Sequence, residues 1–308
     1  MTRIVFMGTP EFAVPVLSLL ADRYDVVAVY TRADKPAGRG KTVAESPVKL
    51  LARARGLTVE QPRTLRNEEA QAHLRDYHPD LIVVAAYGLI LPQAVLDIPP
   101  LHCINTHASL LPRWRGASPI THAILAGDQE TGITLMQMEA GVDTGPIITT
   151  RAIPIERRDT TDSLTDKLAQ LGAELLGEIL PDWLAGQLTP IPQPDTGATY
   201  AGMVKKEEGL IDWQKPAVEI ERAVRAYDPW PSAFTFWQGA QLKLWRADVK
   251  DAALPYPPGT VVELDHELGV STGEGTLILR EVQLAGKRAM PIEEFLRGQR
   301  GFVGSRFT

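Results

Sequence analysis

The sequence predicts an α/β protein: an N-terminal domain with a mainly parallel sheet, followed by a smaller β-rich domain. Three observations carry that expectation. Short apolar, β-branched runs alternate with helix-compatible segments over the first half, the order that builds βαβ units. A proline-rich stretch, Gln187–Gly197 with Pro190, Pro192 and Pro194, then breaks the pattern as an extended linker. Beyond it, strand-like stretches are separated by turn residues at spacings suited to a small barrel. The bounds that follow are 1–188, 189–205 and 206–308.

Ile4–Met7 is an apolar run ending at Gly8, and Phe12–Leu20 has helical apolar spacing with Pro10 near its start. Val26–Tyr30 is a second β-branched run. Ser46-Pro47 reads as an N-cap followed by a first-turn proline, opening a helix that stops near Arg55 at Gly56. Leu81–Ala85 and Cys103–Thr106 are apolar on both faces, as central parallel strands are. Ile133–Met138 is a further apolar strand, and Thr161–Leu184 has the length and periodicity of a closing helix, with residues 159–161 as caps. Past the linker, a helix over Ala217–Ala226 precedes strands at Ala233–Trp237, Gln241–Arg246, Gly259–Glu263, Gly269–Ser271 and Thr276–Val282.

Composition excludes several classes. With 44% hydrophobic and 23% charged residues, 308 residues suffice for buried cores, so the chain is not disordered. No apolar run reaches the ~18 residues that span a bilayer; the longest, Leu81–Leu91, is interrupted by Tyr87 and Gly88. The N-terminus enters a strand-like run directly, without a charged leader. A cytoplasmic location without membrane contact is the expectation. One cysteine, Cys103, excludes an internal disulfide framework and a cysteine-rich zinc site. The net charge of −6 argues against coating nucleic acid non-specifically, yet two stretches, Arg32–Lys49 and Arg280–Thr308, each carry a local charge of +3. Either stretch is equally compatible with scattered solvated charge.

Gly8-Thr9-Pro10 does not fit the dinucleotide fingerprint at the one place it belongs, and no P-loop, zinc-protease or nucleophile-elbow motif occurs. The segment densest in chemistry is Cys103–Pro119. Asn105 and His107, two residues apart at a strand end, point to one face of the sheet, where open α/β sheets bind ligands. Asn can donate to a developing oxyanion and His can hold or pass a proton near neutral pH. The same pair is compatible with a role in satisfying loop backbone. Asp143, framed by Gly141, Gly145 and Pro146, could hold an imidazolium, although an Asp that caps its own turn explains it as simply.

Asn105-x-His107-x-Ser109-Leu110-Leu111-Pro112, followed at a distance by Asp143, resembles the folate-dependent formyltransferase family. Further matching stretches are Gly8–Ala13, Pro36–Lys41, Ala86–Pro92, Leu111–Gly116, Gly132–Gly145 and Asp228–Pro231, which together span nearly the whole chain. One departure is Ala108, where the family pattern more usually has Gly or Pro; the change would matter if that position needed a positive φ.

The resemblance implies a Rossmann-like N-terminal formyltransferase domain and an OB-like C-terminal β-barrel. It implies transfer of the formyl group of 10-formyltetrahydrofolate to an amine, here the α-amine of initiator methionyl-tRNA, with no metal and as a monomer. Asn105, His107 and Asp143 match the catalytic trio. Ser109, Leu110, Leu111 and Pro112 match the folate-contacting segment, and Tyr87, Gly88, Leu89, Ile90 and Leu91 match a stretch that meets the pterin through backbone groups; by themselves those five read as ordinary core. Arg39 and Lys41 lie in what resembles a basic tRNA-binding loop, and Lys287 and Arg288 would supply a second phosphate contact. Three rivals stay open: an amino-sugar nucleotide or other small amine as acceptor, a non-catalytic RNA-binding protein, and a hydrolase that releases formate. If the loop assignment holds, Arg39→Ala with Lys41→Ala weakens tRNA use and flattens its salt dependence while leaving folate binding nearly unchanged. Kinetics measured across salt concentrations check this.

Overall fold

The alternating apolar runs of the first half come together as one seven-stranded sheet in the computed structural model, which describes residues 2–37, 42–252, 254–264 and 266–308. Its strands are β1 (Arg3–Gly8), β2 (Asp25–Tyr30), β3 (Val59–Glu60), β4 (Leu81–Ala85), β5 (Cys103–His107), β6 (Glu130–Gln137) and β7 (Ile147–Pro154), in the order β7-β6-β5-β4-β1-β2-β3. Pairing is parallel from β5 through β4 and β1 to β2 and β3. It is antiparallel between β5 and β6 and between β6 and β7. The strand at Cys103 therefore has a parallel neighbour on one side only, a correction to its expected place among parallel strands. Burial on both faces, which predicted that place, does not report a neighbour's direction.

Register fixes the working end of the sheet. Gly8 pairs with Ala85, and Val84 with Asn105, so β1, β4 and β5 end along one edge with His107 reaching furthest. One face of these strands is an apolar cluster that includes Val5, Met7, Ile82, Val84, Tyr87, Leu91 and Cys103. Period-two alternation places Asn105 and His107 on that face. Thr106 points the other way, beneath Gly172 of the helix Thr161–Leu184; a Cβ at Gly172 would sit 2.7 Å from its methyl carbon, so the absence of a side chain sets how closely that helix approaches.

Local chemistry starts several of the helices, including Glu68–Asp76, which is not among the elements predicted from the sequence. Ser46 Oγ accepts from Lys49 N at 3.1 Å and starts the helix Pro47–Ala54, which is followed by Gly56 at φ +67°. Asn67 caps Glu68–Asp76 in the same manner, accepting from Ala70 N at 3.2 Å. Ser163 Oγ donates to Asp159 Oδ1 at 3.0 Å at the start of Thr161–Leu184. None of the described helices is long and apolar enough to cross a membrane.

Backbone proximity divides the chain into two units: Met1–Pro119, Glu130–Pro154 and Thr165–Ala201 form the first, and Ile120–Gln129, Ile155–Leu164 and Gly202–Thr308 the second. The second unit contains an antiparallel sheet of β8 (Ala233–Trp237), β9 (Ala240–Lys250), β10 (Val261–Leu264), β11 (Glu267–Ser271), β12 (Thr276–Leu284) and β13 (Met290–Pro291). The path is β8-β9-β12-β11-β10, with β13 beside β12. The C-terminal tail joins the two ends of that path. Gly304 N and Val261 N exchange bonds with Val261 O and Ser305 O at 2.8 and 2.9 Å, while Phe236 and Thr308 exchange theirs at 3.1 and 3.2 Å. The tail thus pairs with Phe236 of β8 and Val261 of β10, the two edge strands of this antiparallel sheet.

Phe302 anchors this pairing. It is fully buried among Trp237, Phe295 and Phe307, with ring centroids 5.1, 5.0 and 5.6 Å away. Phe302→Ala is expected to destabilise the second unit by about 3–5 kcal/mol, read as a lowered denaturant midpoint by tryptophan fluorescence.

Candidate active site

The polar residues at the end of β5 are exceptional in a core-facing strand, so their partners decide what they do. Asn105 is 9% exposed and His107 6%. The loop after β6 folds back over this face and places Asp143 against both. Asn105 Nδ2 donates to Asp143 Oδ1 at 3.3 Å, and Asp143 Oδ2 lies 3.6 Å from His107 Nδ1. Oδ2 also accepts from Gly116 N at 2.9 Å. Asp143 holds φ +51°, a left-handed conformation that Asp tolerates better than most residues.

The second imidazole nitrogen is committed. His107 Nε2 lies 2.9 Å from Trp114 O, and a carbonyl can only accept, so Nε2 carries a hydrogen. Nδ1 is left facing the carboxylate. A proton there would create an imidazolium beside Asp143, in a setting where charge is weakly screened.

The turn that follows β5 is built to present these groups. Thr134 Oγ1, on β6, donates to Ser109 O at 2.7 Å and accepts from Leu111 N at 3.0 Å. Ser109 Oγ donates to Arg113 O at 2.6 Å. The peptide bond Leu111–Pro112 is cis, and Trp114 and Gly116 have positive φ. Ala108 does not; the left-handed residues of this turn are Trp114 and Gly116 instead. Gly116 also admits a close neighbour, since a Cβ there would lie 2.5 Å from Ala201 O.

That neighbour belongs to the proline-rich stretch, which is bonded along much of its length to the first unit. Ile191 and Ile147 exchange backbone hydrogen bonds at 2.8 Å. Arg115 N donates to Thr199 O at 2.9 Å, Ala117 N to Ala201 O at 2.8 Å, and Trp114 N to Thr199 Oγ1 at 2.9 Å. Gln193 Nε2 donates to Asp143 O and Gly145 O at 2.8 and 2.7 Å. Its Oε1 accepts from Arg115 Nε and Nη2 at 3.0 and 2.7 Å. Sequence reasoning missed Thr134, Arg115 and Gln193, and for Gln193 the one available signal was a polar side chain set among prolines.

Tyr87, Gly88, Leu89, Ile90 and Leu91 form the irregular loop after β4, at the same edge of the sheet as the β5 turn. Tyr87 and Leu91 are buried and Ile90 is exposed. Tyr87 O accepts from Thr9 Oγ1 at 2.9 Å, and burial pushes the Tyr87 phenol well above its ordinary range. Arg39 and Lys41 lie outside the described residues. Lys287 and Arg288 follow β12 in the second unit and take no part in the Asn105–His107–Asp143 cluster; Arg288 Nη2 meets Glu294 Oε1 at 2.5 Å. The same unit contains a groove of about 800 Å³ lined by Arg157, Arg158, Arg225, Arg246 and Arg280 beside Trp245. Arg280 and Arg225 are paired with Asp248 and Glu221, whereas Arg158 and Arg246 make no ion pair among the described residues.

A strand-end trio of amide, imidazole and carboxylate on a sheet of this topology is a framework for polar group transfer, and comparison with known proteins gives it a family. Residues 2–180 match the formyl transferase family and residues 203–300 match its C-terminal domain. The chain belongs to that family and is a transferase, with a Rossmann-like first sheet that is mostly parallel. Its relatives include a methionyl-tRNA formyltransferase of Methylococcus capsulatus, 51% identical over 96% of each chain. Another, from Xanthomonas euvesicatoria pv. vesicatoria, is 49% identical over 99% of this chain and all of the relative. Among solved structures, an N-formyltransferase of Helicobacter canadensis in complex with folinic acid and dTDP-3-aminofucose superposes with a TM-score of 0.68. It is 18% identical, over 91% of this chain and 99% of that one. Methionyl-tRNA formyltransferase from Clostridium thermocellum gives 0.57 at 17% identity, over 82% and 95%.

Cys103 sits on β5 only two residues from Asn105, yet it is suited to packing rather than nucleophilic attack. Burial pushes its thiol up to about 12, so at neutral pH it is protonated and shielded. The folded protein is expected to resist iodoacetamide at pH 8 and to react once unfolded, as mass spectrometry of the modified chain would report.

Proposed function

We propose that the chain transfers the formyl group of 10-formyltetrahydrofolate to the α-amine of initiator methionyl-tRNA by direct acyl transfer. The observation that carries this reading is the Asp143 carboxylate set between Asn105 and His107 at the end of β5. Acyl transfer to an amine passes through a tetrahedral oxyanion, which requires fixed donors and a group that manages protons. Asn105 has a second amide hydrogen to give once Asp143 has taken the first. With Nε2 spent on Trp114 O, His107 acts through Nδ1, which faces the Asp143 carboxylate at 3.6 Å. The amine attacks the formyl carbon, its proton leaves by way of Asp143 and solvent, and the departing folate nitrogen collects a proton. No covalent enzyme intermediate forms, which suits a site whose nearest thiol is buried and protonated.

The residues also suit the donor. Ser109 and Leu111 already use their polar groups internally, so the polar partner for a pterin falls to the backbone of 87–91, with Leu110 and Pro112 as apolar walls. For tRNA, the names and the near-complete coverage of the relatives support a methionyl-tRNA acceptor over an amino-sugar nucleotide. Arg39 and Lys41 keep the role the resemblance gives them; within the second unit, Arg158 and Arg246 are better suited to phosphate than Arg288, whose guanidinium already meets Glu294. The reading includes a metal-free cytoplasmic monomer divided at 1–188, 189–205 and 206–308.

Asn105→Ala removes one oxyanion donor and is expected to lower kcat by about 10²–10³-fold with little change in the KM for either substrate. Steady-state formylation of charged initiator tRNA checks this. Formate release by the parent enzyme without tRNA would instead favour the hydrolase.

A further inference from the structure

Asp143 needs external restraint. It is a non-glycine residue at positive φ, in a loop with glycines at 141 and 145, and its carboxylate must stay within reach of two side chains. The bonds made by the carboxylate locate its tip, while the peptide that bears it is held separately. That hold comes from Gln193, whose amide is saturated: both hydrogens go to the carbonyls of Asp143 and Gly145, and the oxygen takes two hydrogens from the guanidinium of Arg115. Arg115 is 7% exposed and makes no ion pair among the described residues, so its guanidinium is held by this neutral oxygen. Arg115 is followed directly by Gly116, whose N–H holds the same carboxylate at Oδ2. One side chain thus ties the two segments that hold Asp143, the 143–145 peptides and residues 115–116.

We propose that Gln193 is a positioning residue for the reaction: through its amide, the proline-rich segment sets the position of the Asp143 carboxylate relative to Asn105 and His107. This rests on the role assigned to Asp143 under the proposed function. Prolines at 190, 192 and 194 keep the segment extended, so Gln193 is delivered with little freedom left to lose. A displacement of the carboxylate by about 1 Å is enough to cost about 10²-fold in rate.

The informative substitution is Gln193→Glu. It keeps the shape and improves the pairing with Arg115, but cannot donate to either carbonyl and adds charge beside Asp143. Formylation kinetics with 10-formyltetrahydrofolate and charged initiator methionyl-tRNA would be measured for the parent, Gln193→Glu, Gln193→Ala, Asp143→Asn and the Gln193→Glu/Asp143→Asn double variant, each with its thermal midpoint. Positioning predicts that Gln193→Glu loses about 10²-fold in kcat while both KM values and the midpoint stay near the parent's. It also predicts that the loss nearly vanishes in the Asp143→Asn background, because the two changes disable one group. Parent-like kcat in Gln193→Glu, or an undiminished loss in the double variant, overturns the proposal. So does a loss in Gln193→Ala that only follows a fallen midpoint while Gln193→Glu stays active. Full activity of Asp143→Asn together with a loss in Gln193→Glu fails differently: it removes the role given to Asp143, and positioning through that carboxylate with it.

Discussion

The clasp on the Asp143 carboxylate is the constraint to which the rest of the first unit is fitted. A carboxyl group whose side chain is only 17% exposed needs several polar partners, and here they come from separate parts of the chain. Asn105 comes from the end of a strand, Gly116 from a turn, and His107 Nδ1 stands 3.6 Å away. Each requirement reaches back into the fold. Asn105 and His107 must share a face, which demands extended backbone to the last residue of β5. Gly116 must point its N–H inward at φ +117°, which requires glycine. The β6 loop must return across the sheet, which puts Asp143 into the left-handed region. Strain of about 1–3 kcal/mol at such a position persists only where surrounding bonds over-determine it, and this site supplies them.

How much of this was legible in the sequence depended on the kind of signal. The strand and helix pattern was readable because burial imposes periodicity: Ala217–Ala226 and Thr161–Leu184 match their expected bounds. Ser46 and Pro47 start a helix by local chemistry that needs no tertiary partner. The edge strand Ile147–Pro154 gave no such signal, since it alternates between half-buried and exposed residues. The direction of the strand beside β5 was unreadable, because apolar runs look alike whichever way the neighbour runs. Asn105, His107 and Asp143 stood out as polar residues in apolar or glycine-framed settings, but their convergence is a property of register and loop path. Thr134 and Gln193 act on backbone atoms, and a residue whose partners are carbonyls and amides leaves no complementary side chain to be found.

The two units solve the edge problem of sheets differently. In the first, the edge strand β7 is bonded to Ile191 at its first residue, while the two-residue β3 ends the other edge so briefly that little unpaired backbone remains. In the second, the last residues of the chain are used instead: residues 304–308 bond to Val261 and Phe236 and carry Phe307 into the aromatic cluster around Phe302. These hydrogen bonds to the two edge strands are backed by apolar burial rather than by charge. Several arginines of this unit are paired instead with carboxylates, Arg225 with Glu221 and Arg280 with Asp248 and Glu267.

Proline-rich composition predicts extension, and extension is easily mistaken for freedom. Residues 190–194 run extended, as their prolines require, before a turn at 195–197 with Gly197 at φ +82°, yet backbone groups of Ile191, Thr199 and Ala201 and the Gln193 side chain are bonded to residues 112–117 and 143–147. The physical reason is entropic. A segment already confined to extended backbone loses little on docking, so a few hydrogen bonds of about 1 kcal/mol each suffice to hold it where a flexible chain would stay detached. The same prolines that read as a spacer in the sequence are therefore what make a good clamp in the structure. A stretch chosen for reach alone could be glycine- and serine-rich; one that must also deliver an amide to a fixed point beside a carboxylate has reason to be stiff.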